Sequence, residues 1–321
     1  MSSQRDRIDP ASREPLEMLL AAVPGGFNAI PDIVERRAFV RQLLQTMTAD
    51  LPPNDRVVSE ERTIPGPEGA PDVRVRIYTP AEATGVLLPG ILYIHGGGMI
   101  IGDLDGEHLR AEMLCEFTNT VVVSTDYRKA PEHAHPAQVN DCYAALTWMG
   151  ENLRALDIDP SRVAVYGGSA GGNLAIATTM MARDKGGPAV CFLMAPYPMI
   201  DDRNELPSTH EITEVGIWDR AGNLEAWEWF LGGQPADAYA APARATNLSG
   251  LPPTFIDVGE LDLFRDEDIA FVQRLLQAGI PTEFHVYPGA YHASEVFAPQ
   301  AELSQRIWAA RLSALARALH G

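Results

Sequence analysis

The run from Arg162 to Asp184 reads RVAVY, then GGSAGG, then NLAIATTMMARD, an apolar strand pattern passing into a helical one with no linker. A reversal that tight presses strand and helix backbones together, and only small residues around Ser169 permit it. The chain must therefore form a sheet that delivers a strand end directly to a helix N-terminus. Gly167-Gly168-Ser169-Ala170-Gly171 fits G-x-S-x-G. In this setting the Ser169 hydroxyl is held out at the C-terminal edge of the sheet, where the helix dipole favours developing negative charge. Ser169 is the candidate nucleophile; a glycine-rich packing turn is the plain alternative.

The surrounding pattern agrees with an α/β class. VVSEERTI and DVRVRIYTP alternate as an antiparallel pair of half-buried strands about the turn PGPEGAPD. Six apolar strands follow, in ILYIHGGG, TVVVSTD, RVAVYGG, AVCFLMAPYP, PPTFIDV and TEFHVYP, separated mostly by helical segments such as GEHLRAEMLCEF and QVNDCYAALTWMGENL. Apolar strands alternating with helices predict a mostly parallel eight-stranded sheet with helices on both faces. Two regions break the rhythm. Residues 1–50 hold a short apolar run, Pro15 to Leu20, and a helical pattern from Ile33 to Met47, divided by PGGFNAIPD. Residues 199–249, with EAWEWFLGG and AYAAPARATNLSG, stand between two sheet strands. The division is thus 1–50 and 199–249 as two parts of a helical cap, with 51–198 and 250–321 as the core. A surface excursion without a role is the alternative for the insertion.

Composition excludes several classes. With 43 acidic against 25 basic residues the formal charge is −18, which repels phosphate backbones and anionic lipid, so no nucleic-acid or membrane partner is expected. Neutral or cationic substrates suit that surface better. The N-terminus is charged and lacks an apolar signal region, and no stretch has the ~18–20 apolar residues that span a bilayer. Cys115, Cys142 and Cys191 fit neither a disulfide framework nor a metal knuckle; they read as inert core thiols in a reducing cytoplasm.

The rest of a serine-based site can be assembled by type. A hydroxyl is a weak nucleophile until a base takes its proton. Of eight histidines, His292 is the candidate base, on a Gly-containing loop after the last strand. His285 lies within that strand pattern, His133 and His135 suit solvated or supporting roles, and His95 suits organisation of the glycine loop. His108, His210 and His320 have no supporting context. Asp262, just past the strand PTFIDV, is the candidate acid to fix the base's tautomer. Asp266 is its rival, Asp257 lies inside the strand, and Asp266 and Asp268 also suit the first turn of the next helix. The order Ser, Asp, His is that of α/β-hydrolases. Gly96, Gly97 and Gly98 follow the buried strand ILYI, where three glycines weaken packing and so need a reason. Exposed N–H groups aimed at a developing oxyanion supply one; a phosphate-binding loop lacks its accompanying lysine or acid.

On these residues the chain resembles the bacterial hormone-sensitive-lipase-like carboxylesterases. HGGG at 95–98, YRKAPEH at 127–133, GELDLFRDE and YHASEVF occur in that family's order, over a stretch from about residue 55 to the C-terminus. The resemblance implies an α/β-hydrolase fold with a helical cap. It implies an oxyanion hole of the Gly96, Gly97 and Ala170 amides, with Gly98 supporting the loop. It further implies hydrolysis of short- to medium-chain acyl esters without a cofactor or metal, and a homodimer through the last strand and helix. Three departures stand out: Gly168 where the family has Asp, Leu263 where proline is usual, and Met99-Ile100 where an aromatic is common. A lactonase, amidase or acyltransferase would use the same triad. A non-catalytic receptor of related fold would lack the histidine, and a protein-interaction scaffold would rest only on Trp218, Trp227 and Trp229. Since neutral imidazole is the working base, activity is expected to fall as pH drops through roughly 6–7.

Overall fold

The computed structural model describes residues 4–48, 51–83, 85–214 and 216–321. Helices α1 (Pro10–Ala22) and α2 (Ile33–Thr48) precede the strands β1 (Val57–Ile64), β2 (Val73–Pro80) and β3 (Leu88–Ile94). Then come α3 (His108–Thr118), β4 (Val121–Asp126), α4 (Ala137–Glu151), β5 (Ile158–Gly167), α5 (Ala170–Lys185) and β6 (Phe192–Met194). The insertion carries α6 (Pro207–Glu211) and α7 (Arg220–Leu231). The chain closes with β7 (Thr254–Leu261), α8 (Arg265–Gln277), β8 (Thr282–Tyr291), α9 (Ser294–Phe297) and α10 (Glu302–His320).

The eight strands form one sheet in the order β1-β2-β4-β3-β5-β6-β7-β8. Only β1 with β2 and β2 with β4 run antiparallel; the other pairs are parallel. Side-chain alternation splits the core. Ile91, Tyr93, Val122, Ala164 and Tyr166 pack beneath α3 and α10, with Ala111, Leu114 and Leu315 against them. Leu92, Ile94, Val123 and Val165 face the other way, toward Leu146 of α4 and Leu174 of α5.

Some elements differ from the sequence expectation. β1 is exposed over its six inner residues rather than half-buried. It is an edge strand, and its Glu60, Glu61 and Arg62 suit a place where strand addition must be discouraged. α1 begins five residues before the apolar run at Pro15, because the Asp9 carboxylate accepts from the Ala11 and Ser12 amides and Pro10 occupies the first turn. Cys115 and Cys142 are buried, whereas Cys191 is only partly so. The first division point, at residue 50, falls on residues outside those described.

The N-terminal helices and the insertion meet. Arg36 of α2 is buried, donates to the Ile30 carbonyl at 2.8 Å and pairs with Glu225 of α7 at 2.5 Å. Arg37 reaches the Ile100 carbonyl at 2.7 Å, the Ala130 carbonyl at 2.8 Å and the Glu132 carboxylate. No helix of the described residues is long and apolar enough to cross a membrane.

Candidate active site

The turn between β5 and α5 is as tight as the sequence requires. A Cβ on Gly167 would lie 2.2 Å from the Gly171 carbonyl oxygen, and one on Gly171 would lie 2.1 Å from that of Ile94. Ser169 sits between them at φ 58°, ψ −122°, a backbone state that is costly for a residue with a side chain. Three backbone hydrogen bonds hold it, from the Ser169 amide to the Pro196 carbonyl at 3.0 Å and from the Met199 and Asn173 amides to the Ser169 carbonyl, both at 3.1 Å.

The strand ends bring the other two candidates to this turn. His292 follows β8, and its Nε2 lies 3.0 Å from the Ser169 Oγ. Its Nδ1 lies 2.7 Å from Asp262 Oδ2, and the other Asp262 oxygen accepts from the Phe264 amide at 3.0 Å. Asp262 is fully buried and His292 nearly so. Phe264 and Tyr197 meet the His292 ring edge-on, at centroid distances of 5.1 and 4.9 Å. With both nitrogens engaged and two rings against it, the imidazole has one orientation. Asp266, the rival acid, is occupied elsewhere, by the Ser208 amide at 2.8 Å and by Arg265.

The glycine loop lies against the same turn. A Cβ on Gly96 would be 2.9 Å from the Gly168 carbonyl oxygen, and one on Gly98 would be 2.5 Å from the Trp218 ring. Gly97 has φ +106°, and its carbonyl accepts from the Ile100 and Ile101 amides. The N–H groups of Gly96 and Gly97 have no protein acceptor among the described residues. Ala170 opens α5, so its N–H has no partner within the helix. His95 lies beneath the loop, stacked on Tyr127 at 4.2 Å with its Nδ1 2.7 Å from the Gly96 carbonyl. Burial pushes the His95 pKa down, which suits a neutral structural ring.

Of the remaining histidines, His285 is half-buried, pairs with Glu283 and stacks on Tyr287. His135 packs on Phe230 and pairs with Asp237, tying its loop to the insertion. Two departures from the family pattern find an account here. The space beside Gly168 is filled by Tyr197, whose ring would be 3.3 Å from a Cβ. Leu263 is buried and its carbonyl accepts from Ser208 Oγ at 2.7 Å, fixing the acid loop without proline. Met99 takes φ 61° and is buried.

A buried polar chain behind the site was not anticipated from the sequence. Arg311 of α10 grips Asp257 of β7 with two bonds at 2.7 and 2.8 Å and reaches Glu295 at 2.6 Å. Glu295 also accepts from the Tyr197 hydroxyl at 2.5 Å. Burial pushes the Glu295 carboxyl up, but Arg311 and Tyr197 outweigh it and hold it below the usual carboxylate range. The one sequence signal was a charge, Arg311, on the packed face of an amphipathic helix. The cleft over Ser169 and His292 is lined by Val40, Leu43 and Leu44 of α2 and by Trp218 of the insertion. No group of three or more His, Cys, Asp or Glu among the described residues is arranged to hold a metal ion.

Comparison with known proteins agrees with this architecture. A family model described as alpha/beta hydrolase fold matches residues 91–296. The chain is 38% identical to Carboxylesterase NlhH of Mycobacterium tuberculosis, with 98% of each chain covered. It is 36% identical to Esterase LipI of the same organism, covering all of this chain and 98% of the other. Among solved structures, Bacterial Heroin Esterase superposes with a TM-score of 0.92 at 38% identity, covering 99% of this chain and all of that one.

Proposed function

The chain belongs to the α/β-hydrolase family, among its hormone-sensitive-lipase-like carboxylesterases, and from that membership we propose that Ser169, His292 and Asp262 carry its ester hydrolysis. The activity itself, carboxylic ester hydrolysis, is that of its relatives across nearly the whole chain. The observation that carries the residue assignment is the unbroken path from Asp262 Oδ2 through both His292 nitrogens to Ser169 Oγ, in steps of 2.7 and 3.0 Å.

In the reaction, Ser169 Oγ attacks the ester carbonyl carbon while its proton passes to His292 Nε2. Asp262 keeps the Nδ1 proton in place and stabilises the imidazolium. The amides of Gly96, Gly97 and Ala170 donate to the carbonyl oxygen as it becomes an oxyanion, with Gly98 letting the loop approach under Trp218. His292 then protonates the leaving alcohol, and water repeats the sequence on the acyl-enzyme. Every proton is moved by the chain's own groups, so no cofactor takes part.

Residues 1–50 and 199–249 act together as the cap over the core, with Val40, Leu44 and Trp218 bounding a space for short to medium acyl chains. A cytoplasmic location fits three free thiols. A homodimer fits the outer strand β8, where Val286 is 39% exposed. The test is a p-nitrophenyl ester series from acetate to laurate with wild type and Ser169→Ala. Release from short chains, lost in the variant, is expected; no release by folded wild type would overturn the assignment.

A further inference from the structure

One arm of the cleft is polar where a simple alkyl ester needs nothing polar. Tyr93 of β3 and Tyr166 of β5 stand opposite each other in register, with ring centroids 5.5 Å apart, on the sheet face covered by α3 and α10. The Tyr93 hydroxyl donates to Glu107 Oε2 at 2.5 Å. The Arg110 guanidinium lies 3.3 Å from that same oxygen, and this ion pair is its one polar contact among the described residues. An arginine has five N–H donors, so most of these are unused. The Tyr166 hydroxyl and Glu107 Oε1 likewise have no hydrogen-bond partner among the described residues. Arg110, Tyr166 and Glu107 line the cavity that holds Ser169 and His292.

We propose that this arm binds a hydroxyl group carried by one of the two ester substituents, making hydroxy-bearing esters the preferred substrates. The inference rests on the esterase reading of Ser169. The charges select the class. A carboxylate would meet Glu107 and an ammonium would meet Arg110, so each gains one partner and one repulsion. A hydroxyl accepts from the guanidinium and donates to the carboxylate, satisfying both. Hydrocarbon would leave these groups without water or partner, which is how a polar pocket rejects an apolar analogue. The deeper charges do not compete for the ligand, because Arg311 and Glu295 are engaged with each other, with Asp257 and with Tyr197.

The test compares two nearly isosteric pairs: p-nitrophenyl 3-hydroxybutyrate against 3-methylbutyrate, and 2-hydroxyethyl butyrate against propyl butyrate. The readout is the kcat/KM ratio within each pair for wild type, Arg110→Met and Tyr166→Phe. In wild type, at least one pair is expected to favour the hydroxyl by about tenfold, the scale of one hydrogen bond to a charged group. That ratio is expected to collapse toward one in Arg110→Met; Tyr166→Phe removes a single oxygen and serves where the arginine variant does not fold. Hydrolysis of all four esters without a hydroxyl preference, or a preference fully kept in both variants, overturns the inference and leaves the esterase reading standing. Hydrolysis of none by folded wild type overturns both.

Discussion

Gly97 shows how little freedom the glycine loop proposed to hold the oxyanion has. Its φ of +106° is one that side chains rarely tolerate, and an added Cβ would lie 2.4 Å from the Ile101 carbonyl oxygen, a backbone atom with nowhere to go. Gly97→Ala is expected to displace at least one amide from the developing oxyanion and cut kcat by about 10²–10³-fold, with a much smaller change in KM, read by steady-state kinetics on p-nitrophenyl butyrate. Asp268 makes a different claim. It is fully buried, neither carboxylate oxygen has a partner, and Asp257, Asp262 and Glu267 are its charged neighbours. Burial, then those anions, push its pKa well above the usual range. A carboxyl raised in the folded state contributes stability below its unfolded pKa of about 4 and loses it as pH rises toward the folded value. Asp268→Asn, which cannot ionise, is expected to raise Tm more at pH 8 than at pH 4, seen by thermal melts at both. An equal or negative shift at pH 8 would mean that the carboxylate is ionised and matched.

At the scale of elements, the short helix α9 and the long helix α10 are fixed to β7 by charge as well as by apolar contact. Arg311, almost fully buried, holds Asp257 and Glu295 together, and its guanidinium also lies 5.1 Å from the Tyr197 ring centroid. Removing one member of a buried ionic group strands the others, at a cost of about 3–5 kcal/mol. Arg311→Met is therefore expected to lower the urea midpoint sharply, and Glu295 would lose one of the partners that keep it ionised. An unchanged midpoint would refute the view that the pairing carries stability. This chain also marks where the sequence stopped being legible. Ser169, His292 and Asp262 could be singled out as candidates that come together because each ends a strand pattern, and a strand end fixes where a side chain must stand. Asp257 could be read only as a strand interior, since its partner lies 54 positions away on a helix whose rotation periodicity leaves loose. Tyr197 was silent for a similar reason: its importance comes from the emptiness beside Gly168, and a missing side chain does not indicate what fills its place. The start of α1 was written plainly in Asp9-Pro10, a cap signal overshadowed by the apolar run after it.

For the molecule as a whole, one cleft is closed by two segments more than 150 positions apart, each unable to form it alone. α2 contributes Val40, Leu43 and Leu44 to the lining and the insertion contributes Trp218, while the strand ends and turns supply Ser169 and His292, the groups proposed to react. Much of the polar attachment of α2 runs through two arginines. Arg36 ties it to α7, and Arg37 ties it to the Ile100 and Ala130 carbonyls beside the glycine loop. Arg37 is the more informative to remove, because it touches the core beside the glycine loop and its carboxylate partner, Glu132, is exposed and stays hydrated when freed. Arg37→Ala is expected to loosen the N-terminal helices while leaving the sheet and its main unfolding transition nearly unchanged. KM for p-nitrophenyl butyrate should then rise several-fold, on the order of 1 kcal/mol of binding, with faster proteolytic cutting between α1 and α2. The loss should grow with acyl length, because longer chains reach further along the α2 wall. A flat KM series with unaltered proteolysis would place substrate binding wholly on the core and leave the N-terminal helices with a role in stability alone.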